Sequence, residues 1–201
     1  SYCLKLHGGS GSFGVHQEVA TTPGRNYKID AYWKGVKVGD PVWFEIILID
    51  GPFSMEAADG NPQPNFMYAY DPAPASFDWV WTHDLNGTSA DTHGRNGVRT
   101  ASGTQMSVVL KTGGFGGMDA FFDAVSLVKL ALADFDLDGD VDQADFGFIQ
   151  ACLSGPAIPV MDPDCVRANL DGDSDVDQDD WGIFQSCMSG ANVPGDPACA
   201  Q

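Results

Sequence analysis

Apolar and polar positions alternate in short runs through the first two thirds of the chain. YKIDAYW (27–33) alternates residue by residue, and VWFEIILID (42–50) is a longer β-prone run. FDWVWTH (77–83), QMSVVLK (105–111) and AFFDAVSLVKL (120–130) follow, and SYCLKLHG at the start reads as a further strand. Between them lie the turn clusters TTPGRN, KVGD, ADGNPQP, DPAPAS, LNGTSADTHGRNG and KTGGFGG. Strands at this spacing, with no helical segment among them, predict an antiparallel β-sandwich over residues 1–130. After Leu130 the period changes. Phe146, Ile149 and Leu153 are spaced i, i+3, i+7, and so are Trp181, Phe184 and Met188. This predicts two short helices, each ending at a glycine, Gly155 and Gly190.

Those helices belong to an internal repeat. ADFDLDGDVDQADFGFIQACLSG (133–155) aligns without gaps on ANLDGDSDVDQDDWGIFQSCMSG (168–190), at a constant offset of 35. A unit of this size cannot bury a core singly, so the two copies should fold against each other as a small second domain, 131–201. Charge divides the chain at the same place. Residues 1–130 carry 13 acidic and 9 basic residues, a net of −4; residues 131–201 carry 15 acidic and 1 basic, a net of −14. The balance argues against nucleic acid, whose binding needs Lys and Arg to displace counterions, and points to cations. No apolar run reaches the length of a membrane span. Ser1, with no Met before it, fits a processed chain or a fragment.

The aspartates have a spacing with a chemical reason. Counting Asp134 as position 1, Asp136, Asp138, Asp142 and Asp145 fall at positions 3, 5, 9 and 12, Gly139 at position 6 and Asp140 at position 7, which offers its carbonyl. This is the calcium-loop spacing of an EF-hand. Calcium takes six to eight hard oxygens, and alternate residues of a tightly wound loop turn their carboxylates inward. Without the ion the carboxylates repel one another at about 1 kcal/mol per close pair even in water. The second loop places Asn169, Asp171, Asp173, Asp175, Asp177 and Asp180 at the same positions, and two bound calcium ions are expected. Ser174 stands where the first loop has its position-6 glycine, so a cost of about 1 kcal/mol is expected there if the backbone is left-handed. Val141 and Val176, at position 8, are expected to pair the two loops.

Four of the five cysteines, Cys152, Cys165, Cys187 and Cys199, lie in this acidic half at repeating positions, and Cys3 stands apart. With no CxxC or HxxxH spacing, they read as a disulfide framework in an oxidising compartment rather than a zinc site. Pairing within each copy, Cys152–Cys165 and Cys187–Cys199, is favoured over cross-repeat pairing. Each bond closes a loop of about 13 residues and contributes roughly 3 kcal/mol through chain entropy.

The tract DVDQADFGFIQACLSG and its copy resemble the dockerin family, and among its members the dockerin-like C-terminal repeats of planctomycete-type secreted proteins. The resemblance implies calcium-dependent folding and attachment to a protein partner. Cellulosomal members carry Ser, Thr and basic residues on the recognition face, where this chain has Gln143-Ala144 and Gln178-Asp179. The first part, GVHQEVATTPGRNYKIDAYWKG followed much later by FFDAVSLVKL, resembles carbohydrate-binding modules with a galactose-binding-like jelly roll. That implies a polysaccharide ligand, and a structural calcium near Asp123. It also implies one strand more than the chain supplies, hence an edge left open or completed by another chain. Candidate sugar-stacking residues are Trp33, Trp79, Trp81, Tyr68 and Tyr70, with Asp30, Gln17 and Asn86 as polar partners.

Catalysis has little to stand on. The glutamates are Glu18, Glu45 and Glu56, the histidines are scattered, and neither GxSxG nor HExxH occurs. The expectation is a secreted, non-catalytic modular protein of the extracellular space or cell surface, binding glycan or a partner protein. Two alternatives are a structural subunit of a calcium-stabilised filament or surface assembly built from copies of itself, and a non-catalytic fragment of a glycoside hydrolase.

Overall fold

The computed structural model describes residues 2–59, 65–94 and 96–200. It divides into two compact units, Ser1–Val128 and Lys129–Gln201.

The first unit is one curled antiparallel sheet, compatible with a β-sandwich. Its strands are β1 (Leu4–Ala20), β2 (Asn26–Lys37), β3 (Val42–Ile49), β4 (Phe66–Tyr70), β5 (Phe77–Trp81), β6 (Val98–Thr100) and β7 (Gln105–Lys129). Their order is β4-β3-β7-β2-β5, with β1 also on β7 and β6 also on β2. The long β7 makes the curl. Its first part lies between β1 (Ala20 opposite Gln105, Gly11 opposite Gly114) and β3 (Ile49 opposite Ser107, Val42 opposite Gly114). Its later part pairs with the start of β1, Leu4 opposite Phe122, and adjoins β2.

KTGGFGG was expected as a turn and instead lies inside β7. The glycines let the strand bend hard against the β2–β3 connection. A Cβ on Gly113 would sit 2.5 Å from the Trp43 indole, and Gly114 has φ +153 with the Pro41 carbonyl 2.5 Å from where its Cβ would be. Backbone bonds seal the contact: Phe115 N–H to Pro41 O at 2.9 Å and Asp40 N–H to Phe115 O at 3.1 Å. SYCLKLHG and GVHQEVA likewise merge into β1 across GGSGS, with a register shift between Gly8 and Ser10. The strand FMYAY (β4) was not anticipated. It is apolar on both faces and buried on both, so it shows no alternation. ADGNPQP falls largely on 60–64, outside the described residues.

β2 alternates because one face is wet. Tyr27, Ile29, Ala31 and Trp33 enter the core, and Lys28, Asp30, Tyr32 and Lys34 point outward. β3 is continuous because both of its faces are covered. Phe44, Ile46 and Leu48 join the main core, and Ile47 and Ile49 join a second cluster with Phe66, Ala69 and Val109, roofed by Ala58 of the short helix α1 (Met55–Ala58).

The second unit holds two loop–helix copies. Helices α2 (Gln143–Cys152) and α3 (Gln178–Cys187) each start on a reciprocal capping box, Asp142 with Asp145 and Asp177 with Asp180. They end at cysteine, earlier than the glycines suggested. Leu153 and Met188 therefore leave the helical phase and are 51% and 48% exposed; Cys152 and Cys187 take their places in the core. That core contains Phe135, Val141, Ile149, Val176 and Phe184. The disulfides are Cys152–Cys165 and Cys187–Cys199, one within each copy, and Cys3 is a free, exposed thiol.

Candidate metal loops and an aromatic face

Both acidic loops are wound by the same set of backbone-to-carboxylate bonds. In the first, Asp145 Oδ1 accepts from Phe135 N–H (2.5 Å) and Asp136 N–H (3.2 Å), and Asp145 Oδ2 accepts from Asp142 N–H (2.9 Å). In the second, Asp180 Oδ1 accepts from Leu170 N–H (2.6 Å) and Asp171 N–H (3.2 Å), and Asp180 Oδ2 from Asp177 N–H (2.9 Å). The aspartates at loop positions 3 and 5 then accept from the residue two further on: Asp136 from Asp138, Asp138 from Asp140, Asp171 from Asp173 and Asp173 from Asp175. Such Asx bonds draw alternate carboxylates to one side of the chain.

The result is a convergence of like charge. Oxygens of Asp134, Asp136 and Asp138 lie within 4.8 Å of one another, and so do those of Asp140, Asp142 and Asp145; each group can hold a metal ion. Asp134 Oδ1, Asp140 Oδ1 and Asp175 Oδ1 are buried without a hydrogen-bond partner. An unsatisfied buried carboxylate oxygen is costly, and a cation is the natural complement. Burial first, then the Asp145 and Asp138 charges, push the Asp134 carboxyl up to about 7 in the ion-free protein, and burial raises Asp136 as well.

The loops differ where the backbone turns left-handed. The first uses Leu137 (φ +65) and Gly139 (φ +108); the second uses Gly172 (φ +79). Ser174 is not left-handed, so the cost expected at that residue does not arise; its carbonyl accepts from Val160 N–H at 3.0 Å.

The two copies are clasped through position 8, where Val141 and Val176 are both buried in the shared core while their backbone groups bond to the segments beyond the helices. Val141 O accepts from Ser189 N–H and Gly190 N–H, beyond α3, and Val176 O accepts from Ser154 N–H and Gly155 N–H, beyond α2. Val141 N–H and Val176 N–H donate to Ser189 Oγ and Ser154 Oγ. The position-7 side chains add to the exchange. Asp140 Oδ2 accepts from Asn192 N–H, and Asp175 Oδ2 from Ala157 N–H at 2.7 Å. Arg167, the one basic residue after Lys129, donates to Phe135 O at 2.6 Å and lies 4.1 Å over the Phe148 ring. Ala157 and Asn192 are equivalent positions, and both have φ +59. Asn adopts that conformation at lower cost than Ala. Ala157→Asn is expected to stabilise this unit by about 0.5–1 kcal/mol, read as a higher urea midpoint with an unchanged slope.

The five aromatic candidates of the first unit do not form one site. Trp33 and Tyr68 are each 1% exposed and belong to the core; the Tyr68 hydroxyl donates to Asn86 Oδ1 at 2.8 Å. Tyr70 packs between Trp33 and Phe77 at the core margin. Trp79 and Trp81 do share the outer face, and Tyr32 of β2 lies between them, with ring centroids 5.0 Å and 5.1 Å away. His83 stacks on Trp81 at 5.3 Å, and Phe121 of β7 lies 6.2 Å from Trp79. Asp30 anchors one end, accepting from the Thr82 hydroxyl and meeting His83 Nδ1 at 2.6 Å. Tyr32 and Phe121 escaped sequence reading because they come from different strands; the outward phase of YKIDAYW was the available signal for Tyr32. Gln17 lies on β1, away from this row, and Asp123 Oδ1 accepts from Ala124 N–H at 2.8 Å. Asp123 belongs to neither three-carboxylate group.

No family model matches the chain, and no curated relative does either. No helix among the described residues is long and apolar enough to cross a membrane.

Proposed function

We propose that this protein is a non-catalytic extracellular binding module: its C-terminal dockerin-like domain folds around two calcium ions, and its jelly-roll domain holds glycan on the outer aromatic face. The reading rests on one observation above the others. Two loops of different sequence are wound by the same hydrogen bonds and each leaves a buried oxygen with no donor, and the first draws its carboxylates into two groups of three. Asp134, Asp136, Asp138, Asp142 and Asp145 hold the first ion, and Asn169, Asp171, Asp173, Asp177 and Asp180 the second, with the Asp140 and Asp175 carbonyls at position 7. Hard oxygens without sulfur or imidazole favour calcium over a transition metal. The two disulfides fit an oxidising compartment.

For the first unit, Tyr32, Trp79 and Trp81 offer flat faces to the apolar side of a pyranose, with Asp30 and His83 as polar neighbours. On a polysaccharide retained by the wild type in a glycan screen, Trp79→Ala and Trp81→Ala each weaken binding about tenfold. Calcium affinity of these variants stays unchanged. No retention on any polysaccharide removes the glycan part of the proposal.

A second reading, assembly of copies into a filament or surface layer, is favoured by β1. Among the described residues this strand pairs only with β7, so one of its edges is open. Beside it runs a groove of about 470 Å³ lined by Leu4, Val15, Val19, Val108, Leu110 and Leu127. An extended strand of another copy fits such an edge. Electron microscopy with calcium and then with chelator tests it; monodisperse monomers in both states eliminate assembly.

A further inference from the structure

Glu45 is the one charged residue inside the apolar run of β3, and it faces the second hydrophobic cluster beneath α1. It is 2% exposed. Directly opposite in the β3–β7 register stands Lys111, the one buried lysine among the described residues. Lys111 Nζ lies 3.1 Å from Glu45 Oε2 and 3.3 Å from Asp59 Oδ1, and donates to the Ala58 carbonyl at 2.7 Å. The Glu45 contact has ion-pair distance without hydrogen-bond alignment. The lysine–carboxylate pairs Lys5–Asp119, Lys34–Asp78 and Lys37–Asp40 are more exposed, and each joins its amine to a single carboxylate among the described residues.

An ion pair in this position is poor value as packing, since apolar residues of equal volume commonly stabilise as well. The trio has a different use. It supplies an amine, a carboxyl within contact distance and a second, enclosed carboxyl to carry a proton. We propose that Lys111 and Asp59 condense into an intramolecular amide that ties the end of α1 to β7, with Glu45 as the proton carrier. The Lys111 ammonium passes a proton to Glu45 Oε2. The free amine then attacks Asp59 Cγ, while the Ala58 carbonyl orients Nζ through one of its N–H groups. As the tetrahedral centre collapses, the departing Asp59 oxygen takes the proton that Glu45 returns and a second proton from the attacking nitrogen, so that it leaves as water and the nitrogen keeps the single hydrogen of an amide. An ammonium and a carboxylate become one amide and one water, with no oxidant, metal or cofactor. Burial, the largest influence on Glu45, raises its carboxyl to about 7, so it can both take and return a proton near neutral pH. The Asp59 side chain is 54% exposed, which gives the water a way out. The reaction runs once per molecule and does not depend on the calcium or glycan reading.

Denaturing mass spectrometry of the full chain, with disulfides reduced, tests it. The expected wild-type mass is one water, about 18 Da, below that of the sequence. A digest then contains a branched peptide joining the Asp59 and Lys111 segments. Asp59→Ala, at an exposed position that leaves the core intact, restores full mass. Asp59→Asn forms the same branch by losing ammonia. Glu45→Gln sharply reduces the branched yield; a yield equal to the wild type overturns the role given to Glu45. Full mass with two unbranched peptides in the wild type overturns the bond and leaves a buried ion pair. A mass loss without a branch, as a succinimide at Asp59-Gly60 would give, overturns it too.

Discussion

Stripping divalent ions melts residues 129–201 at a far lower temperature and leaves the transition of the β unit in place. Calcium that binds only the folded form stabilises it by mass action, about 2.7 kcal/mol per ion at a hundredfold excess over Kd. Two ions at that excess contribute about 5 kcal/mol, comparable with the whole stability of a unit this small. Without them, the carboxylates of Asp134, Asp136 and Asp138 face one another with Arg167 as the single cation of residues 131–201. Calorimetry with and without chelator reads the effect. A C-terminal transition indifferent to chelation refutes the calcium reading.

The pH dependence follows, with opposite signs in the two states. In the ion-free protein the Asp134 carboxyl is raised from 3.8 to about 7, so between those values the folded form binds more protons than the unfolded one. Its contribution is fully present below 3.8 and is lost as pH rises through about 7. Chelated protein therefore melts higher at pH 5 than at pH 8. Calcium requires the ionised carboxylate, so its affinity moves the other way and strengthens as pH rises through the same window.

The acidic loops were legible in sequence because their pattern fixes residue type and spacing together. Asp134 to Asp145 could be placed position by position, and the winding bonds fall on those residues. What spacing could not supply was direction. Val141 and Val176 lie in register in the alignment, yet each bonds to the segment beyond the other copy's helix, a consequence of how the copies pack. The β unit was legible where one face of a strand is wet, as in β2. It was opaque where both faces are buried, as in β4, or where glycine makes a bend look like a turn, as in KTGGFGG. The aromatic candidates divide: Trp33 and Tyr68 lie in the core, and Trp79 and Trp81 share the outer face. Trp33 and Tyr32 are adjacent in sequence and on opposite faces, and only the sheet shows that Tyr32 is the one beside Trp79 and Trp81.

Phe184→Ala is expected to cost the C-terminal unit about 3–5 kcal/mol, the range for a buried aromatic whose cavity cannot collapse. Phe184 is fully buried at the meeting of the two copies, stacked on Trp181 at 5.4 Å and on Phe135 at 6.2 Å, with Phe146 at 6.4 Å. Phe135 belongs to the first loop and Phe184 to the second helix, so the ring is the apolar link between the acidic loop of one copy and the helix of the other. Two disulfides within the copies cannot replace that link, because neither bond crosses between them. The variant should thus be unfolded in chelator and recover only when calcium is far above its Kd, with an apparent affinity weakened in proportion to the folded fraction. Trp181→Ala, at a half-buried position on the same stack, should cost clearly less. Urea titrations of both variants in calcium check the order; equal losses would mean that the stack, and not the enclosed ring, joins the copies.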